Sequence, residues 1–304
     1  MTVLSCSSLS KWYGDVIAVN DLTVDVQEGI TGLLGPNGSG KTSLLRMATG
    51  LNKPSAGQVR VLGENPWDNP ALLTRIGVVP DADAPWREMT GRDAATLAAK
   101  FSGLEDRDAD DAVERALRFV RLDNVADRKV EGYSRGMRQR FKFALATLNE
   151  PEFLLLDEPL IGCDPTSRAQ LIDWIKEYAA GGRSVLVSTH VLPDVEAMTQ
   201  RIMLLNNGRL MAHGDVAEIR DLLERYPRTV RIATPRPKDL GAAIWGWDSV
   251  LTMQAEKEAV VVQTTTPRDF YDQLQRHLVD HAVPFTSITS PDDNVEAVFR
   301  YLVR

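Results

Sequence analysis

The stretch from Gly35 to Thr42 carries the strongest chemical signal in the sequence. It reads GPNGSGKT and matches the pattern GxxxxGK followed by Ser or Thr. Glycines let backbone N–H groups fold around phosphates, Lys41 supplies a positive charge for the β- and γ-phosphates, and the Thr42 hydroxyl is a ligand for Mg²⁺. The pattern predicts an ATP site with these contacts: Gly35, Asn37, Gly38, Ser39, Gly40, Lys41, Thr42 and Ser43.

Two adjacent carboxylates, Asp157 and Glu158, follow the apolar run Phe153–Leu156. Taken alone, an acidic pair after a strand is usually a helix cap or a solvated loop. A phosphate-binding loop in the same chain changes this interpretation, because such a loop needs a carboxylate for its metal and a group that activates water. We therefore predict that Asp157 holds Mg²⁺ and that Glu158 is the general base or positions the water.

The elements that must position these residues follow from the apolar patterns. Ile30–Leu34 predicts a strand directly before the glycine-rich loop, and a helical pattern begins after Ser43. Phe153–Leu156 and Ser184–Ser188 are short apolar runs typical of buried parallel strands. Strand, glycine-rich loop and helix in this order is the context that a phosphate-binding loop requires.

Composition limits the classes of function. The 304 residues suit two domains, and the net charge of −7 argues against a protein that coats nucleic acid, so we expect no nucleic-acid partner. The cysteines, Cys6 and Cys163, lie far apart without a metal-ligand spacing, which favours a reducing, cytosolic setting. No apolar run approaches the ~20 residues of a membrane span. Work at a membrane would therefore need another chain as anchor.

Further motifs, in the right order, resemble the nucleotide-binding subunit of an ABC transporter over residues 1 to about 220. Residues 11–14 (KWYG) are similar to the family's aromatic loop, and residues 133–140 (YSRGMRQR) stand in the place of its signature motif. Residues 161–165 (IGCDP) correspond to the D-loop. The resemblance implies adenine stacking by Tyr13, with Trp12 as rival, γ-phosphate contacts by Ser134, Gly136 and His190, and a D-loop role for Asp164. Alone, His190 would be an ordinary core or surface histidine.

Two departures from the family stand out. Asp81 occupies the position where the family usually has Gln, so a carboxylate replaces an amide. We expect Asp81 to face Mg²⁺ as an oxygen ligand, although its charge also repels the triphosphate. In the signature motif, Arg135 and Met137 replace Gly and Gln. Cys163 is most simply a small apolar substitute for Leu.

The resemblance implies an α/β fold: a P-loop NTPase domain of the ABC ATPase type, with a RecA-like core and a helical subdomain. We predict this domain at residues 1–224, with the helical subdomain at about 81–150. Residues 225–304 predict a small α+β domain, with strands near 229–233, 250–254, 259–264 and 285–289, a helix after Thr266 and a last helix from about Asn294.

The implied function is that of an ATPase subunit that dimerises around two ATP and drives a transmembrane permease subunit. The expected partner subunit is a second copy of the chain, and the expected location is cytoplasmic, peripheral on the inner face of the cell membrane. The segment from Ile288 to Asn294 and the following VEAVFRYL resemble the tails of exporter ATPases, which favours export.

Two alternatives remain open at this point. The chain could be an ABC-type ATPase that acts on nucleic acid or the ribosome, or a regulator that hydrolyses ATP poorly because of Asp81 and Arg135. Trp86 has two interpretations as well. It could contact the membrane subunit, or it could anchor its own loop to the helical subdomain.

Overall fold

The computed structural model describes residues 1–216 and 227–290. The chain forms two compact units, Met1–Gly214 and Asp215–Arg304. The domain boundary predicted between residues 224 and 225 lies outside the described residues, and so does the predicted last helix from Asn294.

Up to Asp215 the strands are β1 (Thr2–Tyr13), β2 (Val16–Gln27), β3 (Ile30–Leu34), β4 (Ala56–Val61), β5 (Ile76–Val79), β6 (Phe153–Asp157), β7 (Ser184–Thr189), β8 (Arg201–Asn206) and β9 (Arg209–Asp215). The helices of this unit are α1 (Lys41–Ala48), α2 (Pro70–Leu73), α3 (Gly91–Phe101), α4 (Asp106–Phe119), α5 (Arg135–Ala146), α6 (Pro165–Ala180) and α7 (Leu192–Met198).

A six-stranded sheet in the order β5-β6-β7-β3-β8-β9 forms the centre of the first unit. The strands from β5 to β8 pair in parallel, and every residue of β6 and β7 is buried, as expected for strands covered on both faces. Their carboxyl ends meet at one edge, where Leu34 pairs with Thr189 and Asp157 with Ser188. This edge therefore brings the loops after β3, β6 and β7 together.

The side chains of β6 alternate between two apolar cores. Leu154 and Leu156 pack into a core with the helices α3 to α6, whereas Phe153 and Leu155 pack into a second core with β1, β2 and α1. The second core is closed by an antiparallel sheet in the order β2-β1-β4. Helix α1, which follows the glycine-rich loop, is thus held between two sheets.

A tight hairpin connects β8 and β9. Its turn consists of Asn207 and Gly208, both with positive φ (47° and 75°), as a tight two-residue hairpin turn requires. The Gly208 N–H donates to the Ser39 carbonyl at 3.0 Å, and the Gly208 carbonyl accepts from the N–H of Asn20 at 2.8 Å. The hairpin turn therefore supports the glycine-rich loop directly.

Residues 81–150 contain α3, α4 and α5 with two short 3₁₀ turns and no strand, in agreement with the predicted helical character. The apolar faces of these helices, which include Ala95, Leu117 and Phe141, pack into the same core as Leu154 and Leu156 of β6.

The second unit contains β10 (Arg228–Ala233), α8 (Pro237–Ile244), β11 (Thr252–Ala255), β12 (Ala259–Thr264), α9 (Pro267–Asp280) and β13 (Ser287–Thr289) in its described part. Its antiparallel sheet has the order β11-β12-β10-β13. Alternate residues of β10 and β12 pack against both helices, with Leu240 and Phe270 in the shared core. This part is α+β, as predicted, with α8 as an element that the sequence analysis did not identify.

Candidate functional site

The glycine-rich loop between β3 and α1, residues 35–40, is hereafter the phosphate loop. Gly38 and Gly40 have φ of 80° and 104°, a region that other residues rarely adopt. A Cβ at Gly40 would collide with the carbonyl oxygen of Ala18, and a Cβ at Gly35 with the Ser39 hydroxyl and the Leu205 carbonyl. Glycine is therefore required at Gly35 by space and at Gly40 by both space and conformation.

Lys41 is buried at the start of α1. Its Nζ donates to the carbonyls of Gly35 at 2.7 Å and of Pro36 at 3.2 Å, and it lies 3.5 Å from the Glu158 carboxylate. The ammonium group therefore lies inside the curve of the phosphate loop, where an anion would meet it.

Two features of the phosphate loop fit a bound triphosphate. The buried hydroxyl of Ser39 has no hydrogen-bond partner among the described residues. Helix α1 begins without a side-chain cap, so its first N–H groups are not occupied by a capping oxygen. Free donors at a helix N-terminus, next to a lysine, form a binding site for phosphate.

Asp157 and Thr42 form the part of the site that fits a metal ion. The Thr42 hydroxyl donates to one carboxylate oxygen of Asp157 at 2.7 Å, and the Ser188 hydroxyl donates to the other at 2.6 Å. Hydroxyl and carboxylate oxygens are the donors that Mg²⁺ prefers. The predicted pair is therefore in direct contact, and Ser188 orients it from the neighbouring strand.

Glu158 lies between Lys41 and His190. His190 Nδ1 is 3.1 and 3.2 Å from the two carboxylate oxygens of Glu158. The Glu158 side chain is only 12% exposed. The Glu158 backbone has φ of 48°, which is an unfavourable conformation for this residue type. Two hydrogen bonds hold it in place: the Glu158 N–H donates to the Ser188 hydroxyl (3.1 Å) and to the Ser188 carbonyl (3.2 Å). The structure therefore fixes this carboxylate beside the phosphate loop.

Ser134 and Gly136, which were predicted to contact the γ-phosphate, lie beside the predicted D-loop residue Asp164 and beside Ser167. These four residues are hereafter the signature cluster. Ser134 caps α5 by accepting from the Met137 N–H at 3.2 Å, and Asp164 caps α6 by accepting from the Ser167 N–H (3.0 Å) and hydroxyl (2.7 Å). The bonds from Ser167 lower the pKa of Asp164. Within the described residues, no hydrogen bond links this cluster to Lys41 or Asp157.

Arg135, which replaces the signature glycine, is in contact with the D-loop. Gly162 has φ of 68°, and a Cβ at this position would collide with the Arg135 guanidinium. The arginine therefore packs on the backbone of Gly162.

Tyr13 and Trp12, the two candidates for adenine stacking, are both about half-exposed at the end of β1. The Tyr13 hydroxyl accepts from the Asn52 side chain at 2.5 Å, and Lys11 Nζ lies 5.1 Å from the centre of the Tyr13 ring. These contacts hold the Tyr13 ring in place, although a cation already covers one face of it. Stacking by Tyr13 stays a prediction.

Asp81 is exposed in the loop after β5, and its predicted role as a metal ligand stays a prediction. The carbonyls on either side of it, those of Pro80 and Ala82, accept from Lys142 Nζ at 2.8 and 2.9 Å. Lys142 is buried on α5, and this burial lowers its pKa. Nearby carboxylates, of which Asp81 contributes most, raise the pKa and partly offset the effect of burial.

A groove of about 590 Å³ opens beside this loop, between the loop, α3 and α5. Trp86 and Phe101 stack in it with ring centres 6.1 Å apart, and both remain partly exposed. Lys142 also lines the groove. The structure thus supports both interpretations of Trp86, because the ring contacts α3 and still presents a surface.

The sequence analysis did not identify Ser188 or Lys142. Ser188 is a polar residue within the buried run of β7, and Lys142 is a charge between the buried Phe141 and Phe143. Polar groups at apolar positions were the available signal. In the described part of the chain, no helix has both the length and the apolar character for crossing a bilayer.

A sequence model of the ABC transporter family matches residues 19–161. The ABC transporter ATP-binding protein YxlF of Bacillus subtilis (strain 168) is 37% identical over 219 residues, which are 72% of either chain. Nod factor export ATP-binding protein I of Rhizobium sp. (strain N33) is 34% identical over 276 residues, 90% of this chain and 89% of the relative.

Solved structures agree with these similarities. The ATP-binding subunit of an ABC transporter superposes with a TM-score of 0.66 at 28% identity, over 73% of this chain and 93% of the other. A dimeric ATP-binding cassette with bound ADP and phosphate superposes with a TM-score of 0.63 at 22% identity, over 70% of this chain and 98% of the other, which supports the fold alone.

Proposed function

Since the chain belongs to the ABC transporter family as an ATP-binding subunit, we propose that it hydrolyses Mg²⁺-bound ATP with Glu158 to drive export through a separate membrane subunit. Cassettes of this family are ATPases that power transport, and they work in pairs with a transmembrane component. The observation that carries the proposal is the position of Glu158, held between Lys41 and His190 beside the metal-binding pair Thr42 and Asp157.

Phosphate binding is assigned to the chain's own donors. Lys41 offers a positive charge, Ser39 a hydroxyl without a partner among the described residues, and α1 its uncapped N–H groups. Thr42 and Asp157 would hold Mg²⁺, which when bound neutralises charge on the phosphates. Ser188 keeps the Asp157 carboxylate turned towards Thr42.

Glu158 accepts the proton of the attacking water in this proposal. Its carboxylate is largely shielded from solvent, and His190 fixes its orientation. A general base contributes about 10²–10⁴-fold to a rate. His190 is assigned a contact with the γ-phosphate, because its side chain is 42% exposed and only its Nδ1 is engaged by Glu158.

A second copy of the chain completes the site. Within the described residues, no hydrogen bond joins the signature cluster to Lys41 or Asp157 of the same chain. In this proposal, Ser134 and Gly136 contact the ATP of the partner. Asp164 holds the D-loop next to them. Two identical copies, head to tail, would then enclose two ATP.

The membrane subunit docks in the groove of Trp86 and Phe101, which offers two partly exposed aromatic rings next to the Asp81 loop. The chain then works at the inner, cytoplasmic face of the membrane. Support for export comes from the relative named for Nod factor export, whose similarity extends over 90% of this chain. The exported substrate is selected by the membrane subunit.

Substitution of Glu158 by Gln tests the proposal. We expect unchanged ATP binding, turnover reduced by about 10²–10⁴-fold, and an ATP-dependent dimer in size-exclusion chromatography. Glu177→Gln, an exposed position on α6, is the matched control with normal turnover. Normal hydrolysis by the Glu158 variant would assign the base to another residue.

A further inference from the structure

We infer that Lys142 is a positioning residue that fixes the loop carrying Asp81 and thereby links the groove of Trp86 to the nucleotide site. The inference rests on the proposed function and extends it to the regulation of the same site. It starts from an unusual placement of charge: Lys41 and Lys142 are the two buried lysines among the described residues. Lys41 belongs to the phosphate loop, so the burial of Lys142 needs its own explanation.

The partners of Lys142 are backbone carbonyls. It donates to Pro80 at 2.8 Å and to Ala82 at 2.9 Å, and in the described part of the chain no carboxylate forms an ion pair with it. Both acceptors flank Asp81. A buried ammonium group that bonds to two carbonyls of one loop fixes the path of that loop. Asp81 lies at the centre of this arrangement.

A second bond from the same helix face reinforces the first. Arg138 lies one helical turn before Lys142, and its Nε is 3.2 Å from the carboxylate of Asp83 in the same loop. Asp83 in turn pairs with Arg87 at 3.1 Å and accepts from the N–H of Ala84 at 2.9 Å. Helix α5 thus holds the loop at two points.

The same helix reaches both functional regions. It begins at the signature cluster, where Ser134 is its cap, and Lys142 near its other end lines the groove together with Pro80 and Trp86. A segment that enters the groove therefore contacts the residues that hold Asp81. Burial lowers the pKa of Lys142, whereas the charges of Asp81, Asp83 and Asp157 act in the opposite direction and raise it.

Hydrogen exchange of the full-length, nucleotide-free protein tests the inference without ATP. In Lys142→Met the carbonyls of Pro80 and Ala82 lose their donor. We expect the peptide covering residues 81–89 to exchange about tenfold faster, while α4 keeps its protection. Lys100→Met, at an exposed lysine of α3, is the matched control and leaves the exchange of residues 81–89 unchanged.

Two results would overturn the inference: unchanged exchange of residues 81–89 in a folded Lys142→Met protein, or a uniform increase across α3, α4 and α5. If Lys142→Met does not fold, Lys142→Gln replaces it in the exchange experiment, because the Gln amide retains a donor but not the charge and length of lysine. An intermediate increase confined to residues 81–89 supports the inference, and no increase contradicts it.

A double-mutant cycle tests the link to Asp81. Lys142→Met should raise the Mg²⁺ concentration for half-maximal ATPase activity, and this shift should shrink by about half or more when Asp81 is already Asn. Equal shifts in both backgrounds would show that Lys142 does not act through Asp81. Normal hydrolysis by Glu158→Gln would contradict the proposed base and leave the exchange result intact.

Discussion

The N-termini of α1 and α5 are both assigned to phosphate, yet they are built differently. Helix α1 has no side-chain cap, and the neighbouring Ser39 hydroxyl is unpartnered, so its donors are available. Helix α5 is capped by Ser134, and α6 beside it by Asp164. The first end is ready for an anion within one chain. At the second, the Ser134 hydroxyl already accepts from the Met137 N–H, which suits a surface that meets phosphate only when a second copy arrives.

Lys41→Ala removes the positive charge at the N-terminus of α1 and has the largest expected effect. A hydrogen bond to a charged group contributes about 1.5–3 kcal/mol, so the loss of Lys41 should weaken ATP binding by about 10- to 150-fold. Isothermal titration calorimetry measures this change. Lys176→Ala, at an exposed position on α6, should bind like the wild type, and wild-type affinity in the Lys41 variant would refute the phosphate-loop assignment.

Gly136→Ala changes the N-terminus of α5. A Cβ at Gly136 would lie 2.6 Å from the Ser167 hydroxyl, so either this side chain must turn away from Asp164 or the starts of α5 and α6 must shift. We expect ATP affinity within about twofold of wild type, but turnover reduced by about tenfold and no ATP-dependent dimer. Gly132→Ala is the matched control, since its nearest atom is 3.8 Å away. Weaker ATP binding with an intact dimer would contradict the separation of the two regions.

Ser134→Ala, with a smaller expected effect, separates the capping role of Ser134 from its proposed contact with phosphate. Loss of an N-cap oxygen costs about 1 kcal/mol, whereas Gly at the same position costs only a few tenths. The melting temperature should therefore fall in Ser134→Ala and hardly change in Ser134→Gly. Both variants lose the hydroxyl assigned to the partner's phosphate, so both should show reduced turnover. Normal turnover in the Gly variant would limit Ser134 to capping.

The extent of prediction from sequence follows the same division. The phosphate loop is a short pattern that indicates phosphate chemistry by itself, and its presence gives Asp157 and Glu158 their interpretation. The structure brings Thr42 into contact with Asp157 and Lys41 close to Glu158. Strand β1 was not predicted. Its alternation is interrupted by irregular register, with Ser8 at φ of 45°.

The partners of residues that act through tertiary contacts could not be predicted from the sequence, although a polar residue at an apolar position marks such residues. Ser188 gains its role because β7 pairs with β6, which places its hydroxyl on Asp157. Lys142 gains its role because α5 packs beside a loop about sixty residues earlier in the chain. Helix α8 was also missed, since it is only eight residues long and Gly241 lies within it.

The smallest expected effect belongs to Asp81→Asn, which tests the departure from the family. A carboxylate about 5 Å from phosphate repels it by less than 1 kcal/mol in water and by several in a drier site, whereas Mg²⁺ between them reverses the sign. Asp81 is exposed, which places it near the lower limit, and Lys142 holds the backbone on both sides of it. We expect Asp81→Asn to weaken the Mg²⁺ dependence of ATPase activity by a few-fold and ATP binding by less. ATPase rate against Mg²⁺ concentration gives the comparison, with Asp111→Asn on α4 as a control for loss of one charge. An identical Mg²⁺ curve would show that Asp81 does not sense the metal, and its role would then lie in the contact with the membrane subunit.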